Sequence, residues 1–293
     1  MTLRALCYEA LLQGGRRLDF KGVHRVGAAL GAVFWHVLSG RRRLACRAIA
    51  ERLDLEPTVA KRLARASFTS NFRSFLEILL SPRVDWRFIR ERLDIEMPDV
   101  TAALIQETRP MILATAHLGA WELLAGIFRL FVRHEHRCIV TRRYRDQALN
   151  LLLLRLRSRP GVRVLEHRHS AFEISRTLKV GGACAFLVDH NCRRDEAVFL
   201  PFLGKTAAVN MGPALLAIRN NALVWPGCLL RQPGGRYRFR LSQPLDPTTL
   251  SGTLREKIET VATFYTSAIE AEVRACPEQW FWMHNRWKTQ PVE

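Results

Sequence analysis

Acidic residues are in short supply in this chain of 293 residues. Asp and Glu number 27 against 45 Lys and Arg, giving a formal net charge of +18 and a pI near 10.7. A field of that sign selects anionic partners: nucleic acid, an anionic membrane surface or an acidic protein. Long apolar runs are lacking as well. The run at residues 26–38 contains His36 and several glycines and ends before Arg41, Arg42 and Arg43. It falls short of the roughly 20 apolar residues that span a bilayer. No convincing small-residue cleavage site follows it, so a cleaved signal peptide fits poorly. Cysteine offers no framework either. Cys7, Cys46, Cys138, Cys184, Cys192, Cys228 and Cys276 are odd in number, scattered, and never at metal-ligand spacing. That excludes a zinc motif or a disulfide scaffold and suits buried thiols in a reducing compartment. Repeats, low-complexity tracts and long linkers are absent.

What is present begins with an asymmetric amino terminus. The first fifty residues carry nine basic groups (Arg4, Arg16, Arg17, Lys21, Arg25, Arg41, Arg42, Arg43, Arg47) against Glu9 and Asp19. An apolar helix followed by three arginines fits partial insertion into an anionic surface. A buried core helix with a solvated basic end fits the same residues.

With 48% hydrophobic and 25% charged residues, the chain can build a sizeable core. Up to residue 93 the pattern is helical, with apolar positions at helical intervals in 44–53 and 57–80 and Pro57 suited to a first turn. Short apolar runs then alternate with helical stretches. Strands are expected at 111–115, 138–141, 162–165, 184–188, 223–230 and 236–241, the last antiparallel to its predecessor. Helices are expected at 121–133, 146–157, 171–179, 209–219 and 250–276. The pattern predicts an α/β fold with a central, largely parallel sheet flanked by helices. It divides the chain into an N-terminal helical, membrane-associating region (1–93) and an α/β core with a C-terminal helix and an aromatic, basic tail (94–293).

The most informative stretch is Ala116-His117-Leu118-Gly119-Ala120-Trp121-Glu122, where a buried strand gives way to a helix. A histidine and a carboxylate at such a corner suit activation of a hydroxyl: the acid fixes the imidazole tautomer and the other ring nitrogen takes the proton. Gly119 would let a substrate approach closely, and N–H groups at the helix start could face an oxyanion. The alternative is structural, with His117 capping a helix and Glu122 paired to one of the many arginines.

Other candidates lie at further strand ends, the edge where open α/β sheets hold their sites. Asp189, after the apolar run 183–188, could bind substrate or position an arginine, or could cap its loop. His190 is an alternative base for which the sequence supplies no orienter. Of Arg155, Arg157 and Arg159, helical spacing turns one toward the site. Arg142, Arg143 and Arg145 could reach phosphate oxygens, although a solvated face suits any one of them. His134, His136, His167 and His169 read as surface histidines. Trp280, Trp282 and Trp287 fit either a membrane interface or an aromatic lid on the core. RNA stacking is disfavoured, because no nucleic-acid module accompanies the charge.

Taken in order, these segments resemble the bacterial lipid A late acyltransferases (the lauroyl/myristoyl acyltransferase family), relatives of the glycerolipid acyltransferases. The resemblance spans roughly 22–290. Its carriers are His117 to Glu122, Val188-Asp189-His190, residues 198–204 with Gly212-Pro213-Ala214, and the block 277–288. Asn285 departs from the basic residue more usual there. The resemblance implies an acyltransferase moving an acyl group from an acyl carrier protein or coenzyme A thioester to a hydroxyl of a lipid A precursor or similar glycolipid. It implies His117 as general base and Glu122 as its orienter, with Gly119, Arg157, Asp189 and Arg142 on the substrate side. No metal or other cofactor is called for. The implied location is the cytoplasmic face of the inner membrane, held peripherally, with an anionic membrane surface as partner and no nucleic acid. Another glycolipid or a lysophospholipid as acceptor, or a non-enzymatic basic membrane- or RNA-binding protein, are the rival readings.

Overall fold

The computed structural model describes residues 19–143, 146–158, 161–167 and 170–292. Arg4, Cys7, Glu9, Arg16, Arg17, Arg145, Arg159 and His169 lie outside them. Three helices open the described chain: α1 (Phe20–Val37), α2 (Ser39–Leu53) and α3 (Pro57–Glu77). Asp19 caps α1 by accepting from the Gly22 N–H at 2.7 Å, and Pro57 occupies the first turn of α3. α1 and α3 pack at glycine. A Cβ on Gly27 would sit 2.7 Å from Arg73 Cα, and one on Gly31 2.7 Å from Thr69 Cα.

Short helices α4 (Trp86–Arg92) and α5 (Pro98–Gln106) flank strand β1 (Leu93–Ile95). Beyond them strands and helices alternate: β2 (Met111–Thr115), α6 (Leu124–Phe131), β3 (Arg137–Thr141), α7 (Gln147–Arg157), β4 (Val162–Glu166), α8 (Ala171–Lys179) and β5 (Ala183–Leu187). A hairpin of β6 (Ala197–Phe202) and β7 (Lys205–Asn210) precedes α9 (Gly212–Arg219), β8 (Leu223–Gln232), β9 (Arg236–Leu241) and the long α10 (Leu254–Ala275). A capping box of Thr253 and Glu256 starts α10.

The main sheet has seven strands in the order β1-β9-β8-β2-β5-β3-β4. All neighbours pair in parallel except β8 with β9. The α/β fold with a mostly parallel sheet is as expected, because these strands are buried on both faces and read as continuous apolar runs. On β2, Ile112 and Ala114 enter the core shared with α2, α3, α9 and α10. Met111 faces the second core, with Phe128 and Trp225. Two expectations need correction. Residues 205–210 form the second strand of the β6–β7 hairpin, so the helix expected from 209 starts at Gly212. Residues 121–123 form a 3₁₀ turn, so regular helix begins only at Leu124. Among the described residues, no helix is long and apolar enough to cross a membrane.

The close α1–α3 contact carries a prediction. A methyl at Gly31 meets backbone rather than a side chain, so Gly31→Ala should lower stability by about 1–3 kcal/mol. Thermal denaturation reads this directly, and an unchanged midpoint would contradict the packing.

Candidate active site

His117 and Asp189 are brought together by sheet register. β2 pairs with β5 so that Thr115 lies opposite Leu187, and the Val188 N–H still donates to the Thr115 carbonyl at 2.8 Å. Two residues further on, at the carboxyl ends of both strands, His117 therefore faces Asp189. Asp189 Oδ1 lies 2.8 Å from His117 Nδ1, and its Oδ2 accepts from the His117 backbone N–H and from Trp280 Nε1–H, both at 2.9 Å.

Asp189 is buried. Burial by itself would raise its pKa, but the facing His117, its hydrogen bonds and the Trp280 N–H outweigh that and hold the acid well below the usual carboxylate range. An ionised Asp189 can only accept, so the proton sits on Nδ1 and the Nε2 lone pair is left to act as base. His117, Asp189 and His190 bring ligand atoms within 4.8 Å of one another, a spacing a cation could use. The three donors already on Asp189 suit a hydrogen-bonded pair instead.

The ring of His117 is walled by aromatics. Trp121 lies tilted at 5.4 Å between centroids, Phe281 at 6.0 Å, and His190 edge-on at 4.1 Å. Partial desolvation of the ring, then the charge His117 carries when protonated, lower the His190 imidazole to about 3, although the residue keeps an exposed surface. Arg286, buried and stacked over Phe202, donates to the His190 carbonyl at 3.1 Å and fixes that loop.

Several expected roles are redistributed. Glu122 was expected to orient His117. Its carboxylate instead accepts from Arg157, Nη2 at 2.6 Å and Nε at 3.1 Å, because the 3₁₀ turn aims it at α7. The structural alternative describes Glu122, and Asp189 takes the orienting place. Gly119 was expected to admit substrate. It has a φ of +63°, and a Cβ there would lie 2.1 Å from the Leu229 carbonyl oxygen, so glycine is required by the approach of β8. The N–H groups expected to face an oxyanion are engaged: Gly119 donates to the Gln279 carbonyl at 3.1 Å and Ala120 to the Leu229 carbonyl at 2.7 Å.

Arg142 is exposed beyond the end of β3, the strand next to that of Asp189 and separated from that of His117 by β5. Among the described residues it bonds neither His117 nor Asp189. Arg155 faces solvent. His134 proves buried rather than superficial, with Nε2 2.8 Å from the Arg109 carbonyl oxygen. Trp280 and Trp282 are buried in the core, which settles the tail as an aromatic cover over the sheet edge. Sequence reading missed Trp280 as a partner of the site acid. Its only signal was the clustering of Trp280, Trp282 and Trp287 in one block, 91 residues beyond Asp189.

A histidine held by a buried aspartate at the carboxyl edge of a parallel α/β sheet defines the general class: a site able to activate a hydroxyl by proton abstraction. The family model for bacterial lipid A biosynthesis acyltransferases matches residues 6–289, so the chain belongs to that family and is an acyltransferase. The chain is 25% identical over 283 residues to a lipid A biosynthesis lauroyltransferase of Escherichia coli (strain K12), covering 94% of this chain and 88% of the relative. It is 23% identical to a palmitoleoyltransferase of the same pathway and organism, covering 91% and 85%. A phosphatidylinositol mannoside acyltransferase of Mycolicibacterium smegmatis is 25% identical, covering 77% and 72%.

The depressed acidity of Asp189 gives a signed pH prediction. An acid whose folded pKa is lowered contributes stability that is full above the ordinary value near 4 and is lost as pH falls toward the folded value. The stability difference between wild type and Asp189→Asn should therefore narrow as pH drops from about 5 to about 2. Denaturant titrations at several pH values measure it, and a pH-independent gap would contradict an ionised, paired Asp189.

Proposed function

We propose that this protein moves a fatty acyl group from an acyl carrier protein or coenzyme A thioester to a hydroxyl of a lipid A precursor or similar glycolipid. The observation that supports this most is the His117–Asp189 pair, with Nε2 of His117 left as base. His117 takes the proton from the acceptor hydroxyl as that oxygen attacks the thioester carbonyl. Asp189 holds the tautomer and stabilises the imidazolium. The tetrahedral intermediate collapses with expulsion of the thiolate, which recovers the proton from His117. With the Gly119 and Ala120 amides engaged, Arg157 is assigned to the developing oxyanion or the anionic groups of the substrate, aimed by Glu122. The scheme asks for no metal or further cofactor.

The same reading gives the outer face of α1 a task. Val26, Val33 and Val37 are exposed there at 41%, 56% and 64%, at helical spacing, with Arg25, Arg41 and Arg43 exposed nearby in sequence. That combination suits peripheral docking on an anionic membrane. Phe34, Phe72, Phe75 and Phe281 continue from α1 toward His117 in successive ring contacts of 4.7 to 6.0 Å, a route for a lipid acceptor.

Purified His117→Ala should lose acyl transfer by at least about 10²-fold while remaining folded; near wild-type turnover would sink the base assignment. Asp189→Asn should cost roughly 10²–10⁴-fold by the same logic of a mis-set tautomer. Lipid mass spectrometry of cells with and without the protein identifies the acceptor, and a change confined to phospholipids would favour the lysophospholipid alternative. Val33→Glu with Val37→Glu should weaken sedimentation with anionic vesicles, whereas unchanged binding would remove α1 from the docking face.

A further inference from the structure

The most deeply buried ion pair in the described chain lies outside the His117–Asp189 pair, and it ends on the catalytic turn. Glu77, at the end of α3, has a side chain with no solvent exposure, and Arg231, near the end of β8, is 9% exposed. They form a two-pronged pair, Nε to Oε1 at 2.9 Å and Nη2 to Oε2 at 2.7 Å. Burying a charge pair is a poor way to gain stability, since desolvation offsets most of the attraction. Its hydrogen-bond geometry points to a task in positioning.

That task is visible at the far side of the guanidinium. Arg231 Nη2 gives one N–H to Glu77 and shares the other between Ser74 Oγ and the Gly119 carbonyl at 3.0 Å, and Ser74 Oγ donates to the same carbonyl at 2.7 Å. Arg231 further bonds Ser70 Oγ at 2.9 Å. The Gly119 N–H meanwhile goes to the Gln279 carbonyl. Gln279 brackets the Arg231 backbone in turn, accepting from its N–H at 2.9 Å and donating to its carbonyl at 3.0 Å. Both ends of the Gly119 peptide, two residues past His117, are therefore fixed by one connected cluster. Glu77 Oε1 also lies 2.8 Å from His24 Nε2 and accepts from Tyr237 OH at 3.1 Å, on the side away from Gly119.

We infer that Glu77 and Arg231, with Ser74, act as positioning residues that set the turn carrying His117 against Asp189. The inference rests on the reading of His117 as the base. A guanidinium is needed because one planar fork must hold a carboxylate and a carbonyl together, which a point-charge ammonium cannot do.

Arg231→Lys tests this. The variant keeps the buried charge but loses the fork, and kcat should fall roughly 10- to 100-fold with KM for both substrates unchanged. Ser74→Ala removes one donor to Gly119 and one acceptor of Arg231 while leaving both charged residues in place, and should lower kcat about 3- to 10-fold, a smaller share of the same misplacement. Tyr237→Phe, on the side of the cluster away from Gly119, should keep kcat within about twofold, because the fork survives. The second readout is the His117 Nδ1 proton, followed by NMR with nitrogen-labelled histidine. Its downfield, exchange-protected resonance should shift or broaden in Arg231→Lys and Ser74→Ala and persist in Tyr237→Phe. Should Arg231→Lys fail to fold, Ser74→Ala decides. Wild-type kcat and an unmoved Nδ1 resonance in the folded variants would overturn the positioning role. An active His117→Ala would instead overturn the base assignment, and the resonance alone would then judge the clamp.

Discussion

The parallel pairing of β2 with β5 is the constraint on which the rest of the site depends. It places residue 117 beside residue 189 across a strand-to-strand spacing that a histidine and an aspartate close with one short hydrogen bond. Shifting the register by one residue would turn both side chains toward opposite faces of the sheet and end the contact. Everything else in the centre trims this pairing. Trp280 completes the aspartate's hydrogen bonds, the rings of Trp121, His190 and Phe281 pack around the imidazole, and β8 presses so closely that only glycine fits at 119.

Much of the fold was legible because it obeys local rules. Met111–Thr115, Ala171–Lys179 and Arg236–Leu241 are read to the residue, since each is bounded by Pro, Gly or charged punctuation and patterned with one clear period. The β6–β7 hairpin was not legible. Ala207 and Ala208 favour helix locally, yet pair with Leu200 and Phe199, and packing against α10 overrides propensity.

In the site, His117 and Asp189 each announced themselves by standing just past a buried strand. Their partnership did not, because it depends on strand order: β5 lies next to β2 although β3 and β4 intervene in sequence. Without that order, the nearest acid in the chain, Glu122, is the natural candidate for orienter. The 3₁₀ geometry of residues 121–123 and the approach of Arg157 decide otherwise. The clamp of Glu77, Ser74 and Arg231 was beyond reach for the same reason. Nothing local marks one buried arginine among so many as the one that grips a backbone carbonyl.

The separations spanned by these contacts have a kinetic meaning. His117 meets Asp189 across 72 residues, Trp280 reaches Asp189 across 91, and Arg231 reaches Glu77 across 154. Contacts so distant in sequence close long loops, and the entropy of closing them slows folding. The His117–Asp189 site is thus lost when any one of its contributing segments opens. Enzymatic competence in such a chain reports on the completion of the entire fold, because no subset of neighbouring elements carries the site by itself.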